Sequence, residues 1–272
     1  MLKALSRIRL LILTEIIKLL KGRGFYFSLA GLAAAVAFIF IGTRQLDRAS
    51  GVFRLNGYSA AAYVSTGTVG TWGVGLVLIV ILGASTVAGE AGSGTLKSVL
   101  TRPVTRIDFV ASKMAFLFIA VASLVLATLI LGLILGGAFY GLGNVGERNY
   151  VIHSRIDMLS NMIYAYGLLV LPLFAISTVA LFFSVVIKGV GGAIGASLGA
   201  YFVLNLLRGF PRLGDYTINT YINYPLEMVG GMAVGLPPVW SPWLYKCLAA
   251  SLAYIVAFGG ASVLIFHRKD II

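Results

Sequence analysis

Three stretches of this chain carry residue types at spacings that could do chemistry. Residues 89–98, GEAGSGTLKS, have the glycine content of a phosphate cradle. In such a loop the lysine directly follows the last glycine so that its ammonium reaches the phosphates. Here Thr95 and Leu96 separate Gly94 from Lys97, which argues against nucleotide binding. Residues 195–199, GASLG, fit the nucleophile-elbow pattern around Ser197. A serine needs a base within hydrogen-bond reach, yet His153 and His267 fall in hydrophilic segments expected on opposite sides of a membrane. The single cysteine, Cys247, lies in an apolar run, so an internal disulfide is excluded and a thiolate metal site is disfavoured. No catalytic group, no metal site and no cofactor is expected on this chain.

The elements that must hold these residues are membrane helices. Residues AVILMFWYC make up 59% of the 272-residue chain and charged residues 11%. A soluble domain carries about 25% charge. The formal charge of +12 is spread between apolar runs and not gathered on one face, which fits membrane topology better than nucleic-acid binding. Runs of roughly 20 apolar residues place six spans near 24–43, 62–88, 114–141, 160–187, 191–207 and 246–266. They are too long for barrel strands, and only helices satisfy their own backbone in lipid. The expected fold is an all-α polytopic bundle, a single transmembrane domain over residues 1–272.

Basic residues set the expected orientation. With a cytoplasmic N-terminus, thirteen of the 21 Lys and Arg fall inside, concentrated in residues 3–23, 97–113 and 268–269. Three of the outer eight (Arg208, Arg212 and Lys246) belong to or flank one long loop, where the rule is weak. Both termini are then cytoplasmic, and the location is the cell membrane of a prokaryote. In residues 1–23, Lys3, Arg7, Thr14, Lys18 and Lys21 share one helical face and Leu2, Leu5, Ile8, Ile12, Ile16 and Leu19 the other. This reads as an interfacial helix that anchors the chain or also touches a partner.

Outer segments are expected at 44–61, 142–159 and 208–245. The last is rich in Pro, Trp and Tyr, and its middle, PLEMVGGMAVGL, is apolar but too short to span. Such a piece reads as re-entrant or interfacial short helices. Gly191, Gly195 and Gly199 recur every four residues in the fifth span, which suits either an internal helix contact or a homodimer seam. The six spans as drawn hold no Asp, Glu, Lys, Arg or His. Ion-coupled transporters rely on such residues, so energy supplied from outside the bilayer is expected. Ser65, Thr66, Thr68 and Thr71 of the second span are then candidates to line a pathway.

The segment 89–113 is the most organised hydrophilic stretch. Gly94 permits a tight turn, Thr95 can cap the next one, and Leu96, Val99 and Leu100 form an apolar stripe. Pro103 stops the short helix. The bland alternative is that Lys97, Arg102 and Arg106 only satisfy the charge rule.

Glu90, Gly94-Thr95-Leu96, Leu100, Arg102-Pro103 and Arg106, with Lys113 opening the third span, resemble the loop of type-2 ABC exporter permeases. The six-span layout, interfacial first helix, long last outer loop and short basic tail are similar too. Glu90 stands alone where many such permeases carry two or more acids. The resemblance implies a permease that couples a separate ATPase, which binds ATP and Mg, to alternating access. It implies coupling residues Glu90, Gly94, Thr95, Leu96, Lys97, Val99, Leu100, Arg102, Pro103 and Arg106. The implied partners are the ATPase subunit, a second copy of the chain and membrane lipid, with room for an accessory subunit and no nucleic acid. The alternative is an ATP-independent channel or facilitator.

Overall fold

The computed structural model describes residues 13–17, 21, 23–50, 56–94, 105–147, 150–210 and 212–268. Helix α1 is Arg23–Ser50, α2 Gly57–Val69, α3 Val74–Gly92 and α4 Arg106–Tyr140. A two-stranded antiparallel hairpin follows, β1 Val145–Glu147 and β2 Tyr150–His153, with Glu147 opposite Tyr150. Then come α5 Arg155–Val186, α6 Val190–Arg208, the short α7 Tyr224–Ala233 and α8 Trp243–Arg268, wound as a π-helix over Ile255–Gly259. Six helical stretches are long and apolar enough to cross a membrane, with α2 and α3 together forming one of them. The protein is an all-α polytopic membrane protein.

Helix α5 is the centre of the bundle, packed against α3, α4, α6, α7 and α8. Its residues Leu169, Leu173, Ala175, Leu181 and Val185 are all fully buried. Small residues set the closest approaches. A Cβ on Gly83 of α3 would stand 2.9 Å from both Ala180 Cβ and the Ser177 carbonyl of α5. One on Gly136 of α4 would collide with the Gly57 carbonyl of α2. Close backbone packing of this kind replaces the hydrophobic force that lipid cannot supply.

Contacts between helix ends sort the bundle into two ends. Gly92 faces Val190, and Arg106 reaches His267, so residues 92–94, 105–106, 187–190 and 267 share one end, the loop end. Gly57 faces Gly136 and the Gly141 carbonyl, and Asn56 donates to the Ala233 carbonyl at 2.7 Å. The hairpin and the segment 212–242 therefore share the far end with Asn56 and the start of α2.

Several expected boundaries are corrected. The second span is not one run over 62–88 but two helices separated at Gly70–Gly73, where two poorly helix-forming glycines flank Thr71 and Trp72. The third helix begins at Arg106, not 114. Thr105 Oγ1 accepts the Asp108 N–H at 3.1 Å, and Asp108 complements the positive helix start. Hydropathy stops at the first charge, whereas the helix does not. Residues 89–92 likewise belong to α3, and the first, fourth and sixth helices run to 50, from 155 and from 243 to 268. The long segment 208–245 holds two 3-10 turns, Gly214–Tyr216 and Ile218–Tyr221, besides α7. Ile218, Ile222, Leu226, Val229 and Met232 from this segment are buried in the main core. The hairpin was not foreseen.

Candidate functional site at the loop end

Lys113 lies seven residues into α4, about 10 Å from its first residue. Its side chain is 1% exposed. The ammonium donates to Glu90 Oε1 at 2.8 Å and to Glu15 Oε2 at 3.0 Å, and each carboxylate side chain is 14% exposed. It also sits 5.1 Å from the centroid of the Phe109 ring. Three elements thus meet on one nitrogen: the helical turn at 13–17, the last turn of α3 and the second turn of α4. Desolvating such charges is costly, so the arrangement persists only with good geometry. Removing one partner of a buried pair costs about 3–5 kcal/mol.

The surroundings fix the cluster. Ile16 packs with Phe109, Phe116, Leu117, Val185 and Phe266 in an apolar group at this end. Phe109 and Phe266 stack with centroids 5.2 Å apart. Arg106 Nη1 donates to the His267 carbonyl at 2.9 Å and the Phe266 carbonyl at 3.4 Å, satisfying carbonyls that the end of α8 leaves open. On α5, Ser184 Oγ accepts the Val87 and Ala88 amides of α3 at 3.0 and 2.9 Å. The root of the loop is therefore tied to α5 and α8 as well as to Lys113. At Gly94 the chain turns with φ +71°, a conformation that favours glycine.

Of the expected loop residues, the structure brings Glu90 and Arg106 to this end and places Gly94 at the turn. Thr95, Leu96, Lys97, Val99, Leu100, Arg102 and Pro103 lie outside the described residues. The spans as drawn hold no charge, but the helices run past them, so Glu90 and the buried Lys113 are both helical and ion-paired. Glu15 was missed. Its signal is that it stands as the one acid among the basic residues of the first 23.

Of the pathway candidates, Ser65, Thr68 and Thr71 are buried and Thr66 is half-buried. Ser65 is buried, with Oγ 2.5 Å from the Tyr166 hydroxyl. The Thr66 and Thr68 hydroxyls donate back to the Ala62 and Val64 carbonyls. Thr71 sits in the break between α2 and α3, where its amide and hydroxyl donate to Asn223 Oδ1 at 2.9 and 3.0 Å. The Tyr201 hydroxyl donates to the Thr71 carbonyl, and Arg208 Nη1 to its Oγ1 at 3.2 Å. Asn223 and Tyr201 thus satisfy the interrupted backbone, and Arg208 holds the Thr71 hydroxyl; none of these contacts was foreseen.

Ser197 is buried in α6 and donates to the Ala193 carbonyl at 2.7 Å. His153, at the far end, is hydrogen-bonded to Leu236, while His267 is at the loop end. Among the described residues, no histidine is brought to Ser197. Gly191, Gly195 and Gly199 are exposed, and a Cβ on any of them would meet nothing within 4 Å, so within one chain they make no close helix contact.

A family described as a protein of unknown function (DUF2705) matches residues 29–272, and the chain belongs to that family. Glu90 and Lys113 fall within the match, and Glu15 precedes it. No curated protein matches the chain.

Proposed function

We propose that this family member is the membrane half of an ATP-driven exporter of the type-2 ABC kind. A separate ATPase chain holds ATP and Mg, and two copies of the permease move cargo by alternating access. The loop end faces the cytoplasm in this reading, and both termini lie on that side of the cell membrane. What carries the reading is the rooting of the 93–105 segment. It leaves α3 two residues after Glu90 and enters α4 seven residues before Lys113, and those two side chains are ion-paired in the interior. A push on the segment would reach both helices together, as rigid-body tilting requires.

The exposed Gly191, Gly195 and Gly199 face of α6 is the proposed seam between copies, because small residues let helices approach closely. The segment from Thr95 to Pro103 is the proposed coupling helix, with Leu96 and Leu100 seated in the ATPase. Burying each leucine is worth about 1.5–3 kcal/mol. The double variant Leu96→Ala, Leu100→Ala should insert and fold normally, fail to hold the ATPase and export nothing. Normal ATPase binding and export by that variant would leave the segment a topological signal only.

A further inference from the structure

The sequence reads the N-terminal segment as an anchor or a partner contact, yet its one acid points into the bundle. We infer that the helical turn at 13–17 is a working part of the loop apparatus, clamped by Lys113 to the roots of α3 and α4. Lys113 is the positioning residue, and Glu15 is the hook by which the segment moves with the two helices.

Two independent contacts hold the segment. Glu15 Oε2 is 3.0 Å from the Lys113 ammonium, and Ile16 packs with the Phe109, Phe116 and Phe266 group. Leu13 and Ile17, on either side, remain exposed, so the turn shows one face to the bundle and leaves another uncovered. An exposed ion pair would be weak and replaceable by water. Lys113 is 1% exposed, so water cannot readily take Glu15's place. A lysine offers three donors on a flexible stem and can hold two carboxylates from different elements at once. Glu90 is the second, from the last turn of α3. The ammonium therefore fixes α3, α4 and the N-terminal turn relative to one another at the point where the 93–105 segment begins and ends. A mere anchor would need the apolar contact alone.

The test uses the whole chain in lipid nanodiscs and hydrogen–deuterium exchange read by mass spectrometry. Glu15→Gln leaves the Lys113–Glu90 pair intact, so the bundle should fold. Amide exchange over 13–17 should rise about tenfold or more, as expected for loss of a charged hydrogen bond, while α2 at the far end keeps its wild-type rate. Glu15→Asp, which keeps the charge, should recover part of the protection. Lys113→Met should release the same turn, and Lys113→Arg should hold it. Unchanged exchange over 13–17 in Glu15→Gln would overturn the clamp.

The working role rests on the transport reading and has its own readout. In the complex with its ATPase, Glu15→Gln should continue to hydrolyse ATP while moving less cargo per ATP. An unchanged ratio together with raised exchange would make the segment a passive anchor and refute the inference. A wild-type complex without ATPase activity would refute the transport reading instead, and the exchange result would still decide the clamp.

Discussion

Replacing Asn223 with leucine tests how the break between α2 and α3 is held. Thr71 is 1% exposed, and its amide has left the helical ladder. Asn223 Oδ1 is the acceptor for both that amide, at 2.9 Å, and the Thr71 hydroxyl, at 3.0 Å. Leucine shares asparagine's branching at Cγ but is larger; Asn223 is only half-buried, so the change acts chiefly by deleting the acceptor, and any crowding adds to the loss. The hydroxyl can rotate toward another acceptor, but the amide cannot. The expected loss is that of one buried unsatisfied donor, about 1–3 kcal/mol. For a chain of this size that lowers the melting temperature by roughly 2–10 °C. Trp72 adjoins the break and is 72% exposed, so its fluorescence can follow melting in detergent. Asn223→Asp, which keeps an oxygen in place, should melt closer to wild type than the leucine variant. If Asn223→Leu melts within about 1 °C of wild type, Asn223 does not hold the break, and the polar cluster with Tyr201 and Arg208 has been misread.

Three other outcomes follow from the same structure. In a Cys247→Ser background, cysteines at positions 98 and 154 should label from opposite sides of the membrane, because one belongs to the loop between α3 and α4 and the other begins α5 at the far end; equal labelling from outside would end the proposed topology. Gly195→Leu should lower dimer yield without destabilising the single chain, since its Cβ meets nothing within 4 Å there, and an unchanged oligomer would remove this face from the seam. Ser184→Ala should cost about 0.6–1.7 kcal/mol in thermal or denaturant unfolding, because Val87 and Ala88 lose the oxygen they share, and no loss would mean that this contact contributes nothing to the α3–α5 fit.

The number of crossing segments was legible because a bilayer demands long apolar runs, and those runs are unmistakable in this composition. Their ends were not legible, since hydropathy reports what lipid accepts and not where backbone hydrogen bonding stops. Thr105 and Asp108 start α4 two turns before the apolar stretch begins. The same blindness hid the Lys113 cluster: Lys113 read as a charge opening the third span, Glu90 as part of the loop and Glu15 not at all, and only the fold shows them converging. The break at Gly70–Gly73 carried a visible signal in its paired glycines. The residues that repair it come from α6 and the α7 entrance, far away in sequence, and no local pattern points to them.

The finding of charge inside the helices changes the argument about energy supply without reversing it. A group that carries an ion through a bilayer has to stand near its middle, where the field and the barrier are. Among the described residues, every charged side chain in the six spans lies within about two turns of a helix end. Glu90 is 16 residues beyond the start of α3, about 24 Å from the break, and two residues from the helix end, so it stands at the loop-end edge of the bundle. Lys113 meets it at that same edge. Charges so placed, locked to one another and to the N-terminal turn, suit a joint that transmits displacement better than a relay that transmits protons. The break at Gly70–Gly73 is served in a different way: Asn223 accepts the Thr71 amide and hydroxyl, the Tyr201 hydroxyl donates to the Thr71 carbonyl, and the Arg208 guanidinium donates to the Thr71 hydroxyl. An ionic joint at the loop end and a hydrogen-bonded break along the same helix pair fit the proposed push from the loop side.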